Sequence, residues 1–164
     1  MSVFALTTML LYFSSATQHW LRPGKAKHFF EVLDHAAIFL MIAGTYTPFT
    51  LGILWGSWGW LLLSLVWPLA IFGAGLKFTR GLQPRRFTIP LYVLMGWLML
   101  IAFGPLSARV PATGLGLILA GGIAYTGGLV FYLGRRVPYH HLAWHLCVLA
   151  GSTLHYFAVL RYAL

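Results

Sequence analysis

Acidic residues are nearly absent from this chain: of 164 residues only Glu31 and Asp34 are acidic, and charged residues of both signs make up 8%. A water-exposed surface needs far more charge than that, so a soluble globular domain is excluded. The single cysteine, Cys147, excludes an intramolecular disulfide, and it stands in an apolar stretch outside any metal-ligand spacing. No basic region precedes the first apolar run, which is as long as the later ones. A cleavable signal peptide is therefore not expected, and the first run is expected to be a retained span. What the chain has instead is apolar residues, 60% of the total, enough to place it in a bilayer.

Six segments have the length needed to cross about 30 Å of hydrocarbon at about 1.5 Å per helical residue. They are Val3 to Leu21, Ala36 to Trp55, Trp60 to Phe78, Phe87 to Phe103, Leu115 to Leu133 and His141 to Leu160. Internal prolines do not demote them, because transmembrane helices tolerate proline; Pro48 and Pro68 are expected to mark kinks. Connecting loops are short and no repeat intervenes. The expected fold class is all-α: a polytopic membrane bundle of six helices forming one domain over residues 1–164.

The net charge of +9 would suggest nucleic acid in a soluble protein, but its distribution gives another reason. Loop one carries Arg22, Lys25 and Lys27, loop three Lys77, Arg80, Arg85 and Arg86, and loop five Arg135 and Arg136. Loop two has no basic residue, loop four has Arg109, and the C-terminus has Arg161. The positive-inside rule makes loops one, three and five cytoplasmic, with both termini outside, in a cell inner (plasma) membrane. Nucleic acid is not an expected partner; membrane lipids are. Trp55, Trp58 and Trp60 flank the uncharged outer loop, where indoles favour the interface.

The rare ionisable groups fall at one level. His19 ends span one, Asp34 precedes span two, and His141 and His145 open span six, so all four approach the cytoplasmic leaflet. His141 and His145 are four apart and share a helix face, a geometry that suits two ligands of one metal. Ser15 lies one turn from His19 on the same face. His155, ten residues past His145, falls about 15 Å deeper and outside this set.

Bland readings exist for each residue. An i,i+4 histidine pair near a helix end is common. Asp34 placed before span two suits an N-cap, accepting a backbone hydrogen bond at the positive helix end. Ser14, Ser15 and Thr17 can bond their own helix backbone, and His28, His35 and His140 suit a wet interface. Taken together the groups carry more. Ionisable groups near membrane depth are costly, so those kept there need a partner. Three neutral imidazoles with an open fourth position make a catalytic type of zinc site, with Asp34 in reach of the metal-bound water. Zinc lowers the pKa of that water from about 16 to about 7, which is hydrolase chemistry.

At these residues the chain resembles the hemolysin III family, the bacterial branch of the progestin and adipoQ receptor group that includes the adiponectin receptors. Ser15-Ala16-Thr17-Gln18-His19 is similar to the family's Ser-x-x-x-His motif, Asp34 with Ile42 to Pro48 to its second motif, and His141-Leu142-Ala143-Trp144-His145, followed by His155, to its third. Gly96-Trp97 and Gly121 to Gly128 add further family-like stretches. The resemblance implies zinc ligands at His19, His141 and His145, Asp34 holding the zinc-bound water, Ser15 supporting the site, and kinship with alkaline ceramidases. Members of that family have seven spans, whereas this chain begins with the span carrying Ser15 and His19, so the family's first helix is expected to be absent. The leading functional expectation is a zinc-dependent hydrolase of lipid amide or ester bonds. The alternative is a non-enzymatic cytolytic or receptor-like protein with structural zinc; bis-histidine haem or a proton relay ranks below both.

Overall fold

The structure is a computed structural model that describes residues 2–82, 85–134 and 138–163; the side chains of Arg85 and Arg86, and all of Arg135 and Arg136, lie outside the described residues. The described residues are helical, without strands: α1 (Ser2–Trp20), α2 (Lys25–Leu51), α3 (Ser57–Arg80), α4 (Arg85–Trp97), a 3-10 turn (Leu98–Ala102), α5 (Phe103–Ser107), α6 (Ala112–Leu133) and α7 (His140–Tyr162). They group into two compact units, Met1–Ala102 and Phe103–Leu164.

Among the described residues, five segments are long and apolar enough to cross a membrane: Lys25–Leu51, Ser57–Arg80, Phe87–Ser107, Ala112–Leu133 and His140–Tyr162. They match the expected spans two to six. Helix α1 has the expected position and 19 residues but is not among the five. Its last turns, Ser14 to His19, are polar and dilute the apolar run.

Three boundaries differ from expectation. Helix α2 starts at Lys25, after Pro23 and Gly24, eleven positions before Ala36. Hydropathy marks where a helix becomes apolar, and this helix is already formed before that point. Helix α3 runs on to Arg80, two residues past the expected end at Phe78, and Lys77, counted among the basic residues of loop three, is buried in its last turn, where its ammonium donates to Thr88 Oγ1 at 3.0 Å. The fourth span is not one continuous helix. It breaks after Trp97 into the 3-10 turn, and the cause lies on α2. The Tyr46 hydroxyl donates into the Met95 and Gly96 carbonyls, 2.8 and 3.0 Å away, and accepts from the Met99 amide at 2.9 Å. An interrupted helix survives in an apolar medium only where a neighbour satisfies the freed backbone groups.

Within the first unit, α2 is central and packs on α1, α3 and α4. Phe39, Phe49, Leu62, Val66 and Met95 are fully buried there. Gly73 lets α3 approach the Phe39 ring, which a Cβ would meet at 2.5 Å, and the same ring packs on Tyr92 with 4.5 Å between centroids. The α2–α3 connection turns at Gly56, whose φ of 115° is one that only glycine adopts readily. Trp55 and Trp60 meet across it at 5.8 Å between ring centroids, with Trp58 exposed nearby.

The second unit is built on the α6–α7 pair. Gly114, Gly121 and Gly128 recur every seven residues on α6 and lie against Tyr162, His155 and the Trp144–Cys147 turn of α7, while Gly151 of α7 receives the Tyr125 ring. Small residues at one spacing let two backbones close up, the usual way helices associate without a hydrophobic drive between them. Tyr139, at φ 57°, precedes α7 in the left-handed region.

Candidate functional site

The carboxylate comes first because burial makes it expensive. Asp34 is buried on α2, ten residues inside the helix, so it does not cap it; the N-cap is Gly24. Its side chain turns to α1, where Gln18 Nε2 donates to Oδ2 at 2.9 Å and the Ser15 hydroxyl supplies a second hydrogen bond. Ser15 and Gln18 are three apart and so share the face that meets α2. Bonds to a charged acceptor contribute about 1.5–3 kcal/mol each, enough to set against the roughly 2.5–3.5 kcal/mol that a carboxylate at a membrane-helix centre costs. Gln18 was missed by sequence reasoning, which stopped at the two ends of the Ser-x-x-x-His motif. Its signal was available: a donor one turn from Ser15, in a chain with only two acids.

Ser14 donates to the Leu10 carbonyl at 2.8 Å and Thr17 to that of Phe13 at 2.7 Å, so both serve their own helix. Ser15 is the hydroxyl of the three that bonds the carboxylate. His19 follows Gln18 at the end of α1 and is exposed.

The histidine pair belongs to the second unit. Helix α7 begins at His140, and the His141 and His145 side chains face each other with their Nε2 atoms 3.0 Å apart and their rings edge-to-face. Two nitrogens on one tetrahedral zinc, each at about 2.0–2.1 Å, stand roughly 3.3 Å apart. The pair is therefore within a few tenths of an ångström of ligand spacing, and neutral imidazole nitrogens are the donors zinc takes.

Three other histidines are occupied elsewhere. His28 sits 4.0 Å from Glu31 in an exposed i,i+3 pair, and His35 Nδ1 is 2.8 Å from the Glu31 carbonyl. His155 Nε2 donates to the Ile118 carbonyl of α6 at 3.0 Å, and its ring packs on Tyr125. It ties the α6–α7 hairpin together.

The helices and these polar clusters define a polytopic all-helical membrane protein with a buried carboxylate on α2 and an imidazole pair opening α7. The chain belongs to the family described as Haemolysin-III related, which matches residues 1–156. It is 42% identical over 161 residues to a Hemolysin-3 homolog of Bacillus subtilis (strain 168), covering 98% of this chain and 76% of the relative. It is likewise 42% identical over 163 residues to Hemolysin-3 of Bacillus cereus, covering 99% and 74%. Similarity extends to the human Monocyte to macrophage differentiation factor, 26% identical over 141 residues, 83% of this chain and 56% of that protein. No solved structure matches.

Proposed function

We propose that this protein is a zinc-dependent hydrolase of lipid amide or ester bonds, with its metal held by His19, His141 and His145 near the cytoplasmic leaflet of the plasma membrane. The observation that carries the proposal is the facing Nε2 pair of His141 and His145 at 3.0 Å. His19 is taken as the third imidazole because Ser15 to His19 resembles the family's Ser-x-x-x-His motif. Zinc bound there supplies a Lewis acid that makes water nucleophilic near neutral pH. Asp34 then has the role of general base, taking a proton from the attacking water at a carboxylate oxygen and returning it to the leaving amine or alcohol. Gln18 holds Oδ2 and Ser15 adds a second bond, so the carboxylate keeps one orientation through the transfer. The orientation in the membrane rests on the basic loops.

The test is metal analysis and lipid turnover on the purified chain. Wild type is expected to carry about one zinc, and His141→Ala to lose it. Asp34→Ala should keep the metal and lose turnover by about 10²-fold or more, the usual worth of a positioned base. Wild type without zinc, or a fully active Asp34→Ala, overturns the proposal. The name Hemolysin-3 borne by a relative favours one second reading, a lytic protein braced by zinc. Liposome lysis that is equal with and without a chelator, and unaccompanied by hydrolysis, selects it.

A further inference from the structure

Lys77 is a buried cation with no part in the proposed hydrolysis. Its place follows from the packing of α2, α3 and α4. Gly73, Phe39 and Tyr92 form one aromatic layer, as the close approach of Gly73 to the Phe39 ring and the 4.5 Å centroid distance to Tyr92 require. One helical turn from that layer lie Lys77 on α3, His35 on α2 and Thr88 on α4, each four residues away in the direction its helix runs relative to the others. Two bonds agree: Lys77 Nζ donates to Thr88 Oγ1 at 3.0 Å, and the Tyr92 hydroxyl donates to the His35 carbonyl at 2.8 Å. Residues of three helices of the first unit therefore lie at the level of the ammonium, which bonds Thr88 of α4.

Among the described residues no anionic group neutralises it. An ammonium has three donors, and the Thr88 oxygen that receives one is uncharged. Of the two acids, Asp34 is turned toward α1 and held there by Ser15 and Gln18, about 100° around α2 from residue 35. Glu31 lies beside His28. Among the described residues neither carboxylate pairs with Lys77. An ammonium in water would need no counter-ion, but this one is removed from water. It lies in the last turn of a helix that ends with the exposed Arg80, and the 24 residues of that helix, at about 1.5 Å each, are long enough to carry its end past about 30 Å of hydrocarbon to the head groups.

We infer that Lys77 and Thr88 form a subsite for a phosphate group, the ammonium supplying charge and the hydroxyl a directed donor. Basic pockets between transmembrane helices bind the head groups of anionic lipids in this way, and charge-assisted bonds to phosphate oxygens are short and strong. The inference goes beyond the hydrolase reading and uses none of its proposed metal ligands.

The experiment uses the full chain, purified in detergent and stripped of lipid. Binding is measured for phosphatidylglycerol or phosphatidic acid in mixed micelles, for inorganic phosphate, and for phosphatidylcholine as the control. Wild type is expected to bind an anionic phospholipid, inorganic phosphate or both; lipid alone identifies a head group as the source, and free phosphate identifies the ion itself. Lys77→Met should weaken binding by about tenfold or more, the loss of one charge-assisted bond, while Lys77→Arg stays within a few fold. Should Lys77→Met fail to fold, Thr88→Val keeps the charge and is expected to bind about threefold to tenfold more weakly. Wild type that binds neither probe, binding by Lys77→Met equal to wild type, or binding of phosphatidylcholine as tight as that of the anionic lipids overturns the inference. Zinc measured in the same samples separates this outcome from the hydrolase proposal: unchanged zinc with altered phosphate binding concerns Lys77 alone.

Discussion

The two units keep their polar groups in different ways. In the first, a costly carboxylate is answered by donors from the neighbouring helix, Gln18 and Ser15, and large side chains fill the space between α2, α3 and α4. In the second, α6 and α7 meet through glycines, and the two imidazoles at the start of α7 face one another. One region is fixed by side chains that fill volume, the other by side chains that are absent. A substitution that adds a methyl group is therefore felt most in the second unit, and one that removes a donor most in the first.

The sharpest break of that contrast is on α6. A Cβ at Gly128 would lie 2.7 Å from the Cys147 Cβ, an atom that cannot swing aside, whereas one at the adjacent Gly127 meets nothing within 4 Å. Gly128→Leu is expected to destabilise by about 3 kcal/mol, the upper end of overpacking, and Gly128→Ala by less. Gly127→Ala should be neutral or stabilising by up to about 1 kcal/mol, as helix propensity dictates. Thermal midpoints of the neighbouring variants check this, and equal effects at the two positions would sink the account of α6–α7 packing.

A smaller effect is expected in the first unit from Gln18→Leu, which removes the amide but keeps the bulk. Loss of one bond to a buried carboxylate should cost about 1.5–3 kcal/mol. Turnover should fall about tenfold with zinc retained, and an unchanged lipid-hydrolysis rate would leave Gln18 a packing residue. The smallest effect belongs to Tyr139, whose left-handed conformation costs an ordinary residue about 1 kcal/mol. Tyr139→Gly should gain up to that amount, and Tyr139→Val should lose at least as much, both read from denaturation in the same detergent.

Much of the fold was legible because apolar runs and basic loops obey the bilayer, whose thickness and asymmetry act on sequence directly. The positions of α3, α6 and α7 followed from that alone. Hydropathy could not place the start of α2, because Lys25 to His35 is helical before it is apolar, and so Asp34 was open to being read as a cap. The histidine pair on α7 was legible from its spacing of four. The partners of Asp34 were not, since they depend on how α1 packs against α2, which periodicity within either helix leaves undetermined. Lys77 looked like a loop charge because charge is scored by residue type, while its burial depends on the glycine one turn earlier that lets α3 close on Phe39.

The three bonds of the Tyr46 hydroxyl have a consequence for how the fourth span can move. One oxygen on α2 splices the two sides of an interrupted helix, so the gap is a registered joint and not a swivel. Were the segment after Trp97 to straighten into a continuous helix, the Met99 amide would bond the Met95 carbonyl and the Leu100 amide that of Gly96, and the Tyr46 hydroxyl would be the group left without partners in an apolar surrounding. The place where the span divides is thus dictated from another helix, and a phenylalanine at position 46, though equally apolar and nearly the same shape, would erase the mark that sets it.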